Sequence, residues 1–181
     1  SSTNLGKAIN IPYFYVLSDD KDMTFNPRIY SDTDFILQSE YRQAFEKSDL
    51  IADFSFNKDE KNTNTHAFLD LKGEFNEKVS YDIQFQNVTN DNYLKIHDFK
   101  GITDTNSLMS KINTSSLTSF LKVMNEIDED TRLTTSVRMY ENLAVSNKND
   151  KYQYIFPDFS FYKNIDLADD YNGNFTFGSS G

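Results

Sequence analysis

The chain has 181 residues, of which 38% are hydrophobic and 25% are charged, and its formal net charge is −10. This acidic balance argues against nucleic acid as a partner, because binding a phosphate backbone needs a surplus of Lys and Arg. Cysteine is absent, which excludes disulfides, thiolate metal sites and thiol nucleophiles. Aromatic residues make up 15% of the chain, with 16 Phe, 11 Tyr and no Trp.

Alternation of apolar and polar residues is the dominant pattern, and it predicts strands with one apolar and one wet face. In chain order the predicted strands are 12–18, 22–31, 34–45, 49–57, 66–76, 78–88, 107–113, 116–125, 131–143, 152–162 and 173–178. The connections are rich in Asn and Asp, which favour turns. We therefore predict an all-β fold, an antiparallel up-and-down meander of about ten to eleven long strands. Residues 88–106 form the longest connection, with a short helical turn around 92–99.

No linker divides the chain, and residues 1–181 are predicted to form a single segment. Two architectures fit the alternation. A soluble β-sandwich, such as a carbohydrate-binding module, alternates because each sheet has one core face. An outer-membrane β-barrel alternates because one face meets lipid and the other meets a watery lumen. The long strands, the charges in mid-strand and the aromatic residues near strand ends favour part of a barrel.

A series of motifs follows in order along the chain: Asn10-Ile11-Pro12-Tyr13-Phe14-Tyr15, Asp22-Met23-Thr24-Phe25-Asn26-Pro27-Arg28, Phe35 to Glu40-Tyr41-Arg42, Asn87 to Leu94, Leu108-Met109-Ser110, Ile155-Phe156-Pro157 and Gly173-Asn174-Phe175. Their order and spacing resemble the first barrel strands of the lipopolysaccharide-assembly outer-membrane proteins, the LptD (organic solvent tolerance protein) family. The resemblance spans nearly the whole chain but only part of the family's length.

The resemblance implies a non-enzymatic translocon in the outer membrane of Gram-negative bacteria, without a cofactor. Its implied partners are lipopolysaccharide, outer-membrane lipids, the plug lipoprotein LptE and the periplasmic bridge protein LptA. In this family the lipid leaves through a lateral gate between the first and last strands. A different outer-membrane barrel, such as a porin, is the remaining membrane alternative.

Two prolines fall in the first two predicted strands. Proline has no N–H for a β-ladder and is confined to edges and bulges. By resemblance, Pro12 and Pro27 are the candidate lateral-gate residues, where they would loosen the pairing at the closure seam. The alternative is that both simply mark strand starts or bulges.

Alternation also predicts which polar side chains face the lumen. These candidates could meet a saccharide, a plug or only water; they are Asn26, Arg28, Gln38, Glu40, Arg42, Asp53, Asp70, Lys72, Asp82, Gln84 and Gln86. If residue 1 enters from the periplasm, the long connections fall on the periplasmic side, whereas such barrels usually have their longer loops outside.

Residues for catalysis or metal binding are scarce. Of the two histidines, His66 is predicted beside a loop and His97 in the long connection, and neither has a metal partner at ligand spacing. Two distant histidines imply no Ser-His-Asp triad. We therefore expect no enzymatic activity and no metal site.

Overall fold

The computed structural model describes residues 8–31, 35–58, 63–99, 108, 112–145, 147–166 and 174–181. The described strands form one 11-stranded antiparallel sheet, in which every strand from the second onward pairs with the next one in sequence. They are β1 Ala8–Asn10, β2 Tyr13–Ser18, β3 Lys21–Tyr30, β4 Phe35–Phe45, β5 Ser48–Lys58, β6 Thr63–Asn76, β7 Val79–Val88, β8 Ser116–Asp128, β9 Thr131–Asn142, β10 Tyr152–Asp166 and β11 Asn174–Ser180. The predicted all-β meander is confirmed.

Two short helices interrupt the strands, α1 Tyr93–His97 and α2 Lys148–Lys151. The first confirms the helical turn predicted in the longest connection. The predicted strand 107–113 falls mostly outside the described residues, and its described members Leu108, Ile112 and Asn113 are not in a strand. Among the described residues, no helix has the length and apolar content needed to cross a bilayer.

The sheet is open. β1 and β2 both pair with β3 at one edge, and β11 forms the other edge beside β10. Unpaired edges present free backbone donors and acceptors that favour pairing with further strands. Further strands can therefore pair with the described sheet at both of its edges.

The two ends of the sheet differ in their connections. At one end, the turn end, two-residue turns join β2 to β3, β4 to β5, β6 to β7 and β8 to β9. Polar side chains stabilise these turns: the Asn76 Oδ1 accepts bonds from the amides of Lys78 and Val79, as Asn commonly does in turns. At the opposite end, the loop end, lie the longer connections that carry α1 and α2.

The pairing register aligns the apolar residues of successive strands on one face. Ala52 lies opposite Leu69, and Leu69 lies opposite Phe85. On this apolar face many large side chains are exposed, among them Phe54, Phe56, Phe85, Leu121, Phe159, Phe175 and Phe177. The other face of the sheet, the polar face, carries the alternate residues of each strand.

A small hydrophobic core lies at the loop end, on the side of the polar face. It joins residues from strand ends to residues of the long connection; its buried members are Tyr30, Ile36, Phe68, Val88, Tyr93, Leu94, Phe99, Leu117 and Leu143. Leu108 and Ile112 pack against it. The described residues of the long connection therefore pack over the sheet.

Gly73 is required by a close approach of neighbouring strands. A Cβ at this position would lie 2.5 Å from the Cβ of Ser48 and 2.6 Å from the carbonyl oxygen of Lys47. The absence of a side chain lets β5, β6 and β7 meet beside the tight turn.

Candidate functional site

All eleven residues predicted to face a lumen lie on the polar face. Register connects them from strand to strand: Asn26 lies opposite Gln38, and Glu40 lies opposite Asp53. Asp70 lies opposite Gln84, and Lys72 lies opposite Asp82 in the same way. The remaining members, Arg28, Arg42 and Gln86, share this face because they are separated from the others by even numbers of residues along each strand.

These eleven side chains differ in exposure. Asn26, Gln38, Glu40 and Asp53 are buried, whereas Lys72 is exposed. The buried members lie from mid-sheet toward the loop end, and Lys72 lies toward the turn end. The polar face is thus covered at one end and wet at the other, which alternation alone does not predict.

A buried chain of polar contacts crosses the covered part. The guanidinium of Arg28 donates to the Oε1 of Gln38 (3.2 Å), and the amide of Gln38 donates to both carboxylate oxygens of Asp53 (3.2 and 3.1 Å). The carboxylate also lies 2.6 Å from the Nε2 of His66. The Nδ1 of His66 lies 2.7 Å from the Oγ of Ser55. Buried polar groups need such partners, since an unpaired one costs free energy.

Part of this network has the residue composition of a hydrolase triad, with Ser55, His66 and Asp53 in contact with one another. Ser55 is only 3% exposed, however, and its Oγ also lies 2.9 Å from the hydroxyl of Tyr93. A nucleophile must meet its substrate, and this hydroxyl is covered by the protein. We interpret the three side chains as a structural network.

The prediction that His66 lies beside a loop was wrong. It lies inside β6, opposite Ser55, and is buried. The sequence contains a feature that could have predicted this network. Asp53 and Ser55 are two residues apart and so share one strand face, and pairing with the next strand brings His66 opposite them.

Residues 93–99, the plug segment, cover this network. The guanidinium of Arg28 donates to the carbonyl oxygen of His97 (2.9 Å), and its carbon lies 5.3 Å from the ring centroid of Phe99. The Phe99 ring in turn meets the ring of His66 edge-on at 4.9 Å. Desolvation raises the pKa of Tyr93 to about 12, so its hydroxyl stays protonated across the physiological range.

The connection that carries the plug segment is also tied to its neighbour at the loop end. The ammonium group of Lys151 lies 2.8 Å from Asp91 and 3.1 Å from Glu141. The hydrogen bond to Asp91 raises the pKa of Lys151 above its usual value, which keeps the side chain charged. This ion pair fixes the start of the plug segment against α2 and β9.

The turn half of the polar face carries mixed charge. Arg42 donates to Asp22 at 2.9 Å, and Lys72 lies 3.1 Å from Asp70. On β9 and β10, Arg138 lies 3.7 Å from Asp158. Because both signs are interspersed, this surface attracts water without favouring a ligand of one charge.

Gln84 and Gln86 have a structural role that their side-chain type did not reveal. The ladder between β7 and β8 ends at Gln84 and Phe120. Beyond it, the amide of Gln84 donates to the carbonyl of Thr118 (2.8 Å), and the Oε1 of Gln86 accepts from the Thr118 amide (2.8 Å). These side chains replace backbone pairing where the two strands separate.

The two prolines lie one register position apart at the edge of the sheet. β1 and β2 pair with β3 in one continuous register, which is interrupted at residues 11–12. Pro12 lies in this interruption, and Pro27 lies opposite Ile11, whose amide reaches the Pro27 carbonyl over 3.4 Å. The first edge strand is thus divided at Ile11 and Pro12, directly beside Pro27 of β3.

Among the residues that the structure describes, no group of three or more acidic or histidine side chains is arranged to hold a metal ion. Asp53 and His66 are a pair, and Gln38 and Ser55 complete their hydrogen bonding.

Comparison with known proteins gives a distant and partial relationship. No protein-family profile matches the chain. The chain is 27% identical over 112 residues to the LPS-assembly protein LptD of Idiomarina loihiensis. The match covers 58% of this chain and only 15% of that protein. The chain is therefore similar to a small part of an LPS-assembly protein.

Proposed function

We propose that this chain is a section of the wall of an outer-membrane β-barrel that takes part in lipopolysaccharide assembly. Two independent observations support the proposal. One is the partial similarity to an LPS-assembly protein. The other is the division of a single antiparallel sheet into an exposed apolar face and a polar face.

The exposed apolar face is the observation that carries the proposal. A sheet in water buries its apolar face against another layer. Here Phe54 on β5, Phe85 on β7 and Leu121 on β8 are each at least 40% exposed. Lipid tails would cover such a face, and the strand lengths of 10 to 15 residues in β3 to β10 suffice to cross a bilayer at a tilt.

The soluble β-sandwich, as a carbohydrate-binding module, fits less well. A sandwich needs two packed sheets, whereas all the described strands belong to one sheet. A porin-like barrel would also have an apolar face toward lipid and a polar face toward its lumen. The similarity to an LPS-assembly protein favours the lipopolysaccharide role over a porin.

In this proposal Pro12 and Pro27 form part of a lateral gate. Neither proline can donate a backbone hydrogen bond, and both lie where the edge ladder is interrupted. A weakened edge would part more easily from its neighbours and let a lipid leave sideways. Lipopolysaccharide would be the substrate, and LptE and LptA the protein partners, of the whole translocon.

The proposed role is non-enzymatic and needs no cofactor. The polar face would line an aqueous interior, with Arg42, Asp70, Lys72 and Asp82 in contact with water or with a luminal partner. The buried Ser55, His66 and Asp53 would stabilise the wall, since their polar atoms bond to one another.

Partitioning of the purified chain tests the wall proposal. We expect it to need detergent or lipid to remain monomeric, and to leave the aqueous phase with vesicles. A stable monomer in detergent-free buffer would contradict a lipid-facing wall. Replacing the native gene with a variant that lacks residues 8–181 would test the role in assembly: surface lipopolysaccharide should fall, and an unchanged level would remove this part of the proposal.

A further inference from the structure

We propose that the plug segment, residues 93–99, is an intramolecular plug that closes the loop end of the polar face and is latched there by the buried polar chain. This inference rests on the proposed function in one respect only: the closed space is taken to be the interior of a barrel. The latch itself depends only on contacts between the plug segment and the described sheet.

The plug segment is held at both ends. At its start, Lys151 binds Asp91, and the carbonyl of Asn90 accepts the amide of Tyr93 (3.0 Å). At its end, Asp98 has φ of 43°, a left-handed conformation that Asp tolerates better than most residues. Phe99 after this turn is buried against the sheet. The segment therefore leaves the wall, crosses the polar face and contacts the wall again.

A helix of five residues has little stability of its own. The position of α1 therefore depends on what its side chains contact. Tyr93 and Leu94 are each 1% exposed. Both belong to the small core, and the hydroxyl of Tyr93 also reaches Ser55 and thereby the polar chain.

The surface beneath the plug segment combines residues of the small hydrophobic core, among them Ile36 and Phe68, with a group of polar side chains. Gln38, Asp53, Ser55 and His66 are all polar, and each would be well solvated if uncovered. Closure adds two polar contacts to this network: Arg28 donates to the carbonyl oxygen of His97, and the hydroxyl of Tyr93 lies 2.9 Å from the Oγ of Ser55. Loss of one contact should therefore shift the plug toward an open state without unfolding the strands.

The latch contact to remove is the Tyr93 hydroxyl. In Tyr93→Phe the ring remains and Ser55 keeps His66 as its partner, so one hydrogen bond is lost with little change in packing. Tyr41→Phe is the matched control, because the Tyr41 hydroxyl bonds to Gln43 within β4 and touches no part of the plug segment.

The two histidines can report on the latch through their chemical reactivity, without a new residue being introduced. His66 lies beneath the plug segment and His97 lies within it, and both are buried. The full-length protein in lipid vesicles would be treated with diethyl pyrocarbonate, and the modification of each imidazole followed by mass spectrometry.

We expect both histidines to react at least tenfold more slowly than in denaturant. Tyr93→Phe should accelerate both by roughly fivefold, as the loss of one hydrogen bond predicts, whereas Tyr41→Phe should change neither. The plug is overturned if His66 reacts at the denatured rate, if the two variants behave alike, or if only His97 accelerates, which would mean fraying that leaves the surface covered.

A flux measurement separates the plug from the proposed function. In reconstituted vesicles Tyr93→Phe should raise the entry of a small polar sugar if the latch closes a barrel interior. If His66 is protected by the latch but the protein does not insert into membranes, the plug is supported and the proposed function is wrong. If the protein inserts into membranes but His66 is unprotected, the proposed function is supported and the plug is wrong.

Discussion

The amide of Ile11 donates to the carbonyl of Pro27 over 3.4 Å, and Pro27 returns no hydrogen bond. In an antiparallel pair a residue directs its N–H and C=O toward the same neighbour, and adjacent residues alternate. The missing donor of Pro27 therefore faces β1 and β2, whereas that of Pro12 faces the free edge. The two prolines weaken opposite sides of the first edge strand.

This geometry predicts different results for the two substitutions. Pro27→Val should restore one ladder bond and raise the free energy of unfolding by about 0.5–1.5 kcal/mol, measured by urea titration of the full-length protein in vesicles. Pro12→Val should add stability only when another strand pairs at the free edge.

Both valine variants should reduce surface lipopolysaccharide if the edge is a lateral gate. Normal export in a double Pro12→Val and Pro27→Val variant would show that the prolines mark an irregular strand and gate nothing. Pro157→Val is a suitable control, because Pro157 lies at the bulge of β10, away from the first edge.

Gly73 predicts a packing defect at the turn end. In Gly73→Ala the new Cβ would lie within 2.7 Å of three atoms, which are the Cβ of Ser48, the carbonyl oxygen of Lys47 and the hydroxyl oxygen of Tyr81. We expect a loss of about 1–3 kcal/mol, typical of overpacking. Gly178→Ala is the matched control, because the nearest atom to a Cβ there is 4.0 Å away. Equal stability of the two variants would contradict the close approach.

Side-chain alternation was sufficient to predict the class of fold and the two faces. The period of two identifies which residues share a face, and short Asn- and Asp-rich connections identify the hairpins. Alternation gives no information about which part of a face is covered. The burial of Asp53 and His66 depends on residues 93–99, which are distant in sequence and have no periodic pattern of their own.

Alternation also did not predict the interruption of the edge strand. Pro12 was predicted at the start of a strand, yet β1 precedes it and continues the same register. Three residues are too few to show alternation, so Ala8–Asn10 becomes recognisable only by its pairing with β3.

The two faces predict opposite responses to a charge. Leu121→Arg would place a cation on the apolar face, which should cost about 2–4 kcal/mol near the middle of a bilayer. Gln84→Arg would place the same group on the polar face of the neighbouring strand, where the cost is the hydrogen bond of Gln84 to the Thr118 carbonyl, about 0.5–1.5 kcal/mol. Folding into vesicles would be followed by protease protection. Equal folding of both variants would argue against lipid contact at Leu121.

The lateral gate requires a particular orientation. If the first strand enters from the periplasm, the two-residue turns face the outside and the longer connections face the periplasm, the reverse of the usual arrangement. Because the chain has no cysteine, a single substitution to Cys introduces one labelling site into it. On intact cells, an impermeant maleimide should label Glu129→Cys but not Asn149→Cys. The opposite result would place the first edge strand elsewhere in a barrel and remove the gate.

The buried pair of Asp53 and His66 predicts strong coupling. In His66→Leu the carboxylate of Asp53 would lose its contact at 2.6 Å while remaining covered, and breaking such a pair costs about 3–5 kcal/mol. Asp53→Leu with His66→Leu removes both polar groups, so the double variant should lose clearly less than the two single losses added together. Unfolding of the three variants in vesicles measures this difference. Additive losses would mean that the two side chains are stabilised independently, and that the latch does not pass through them.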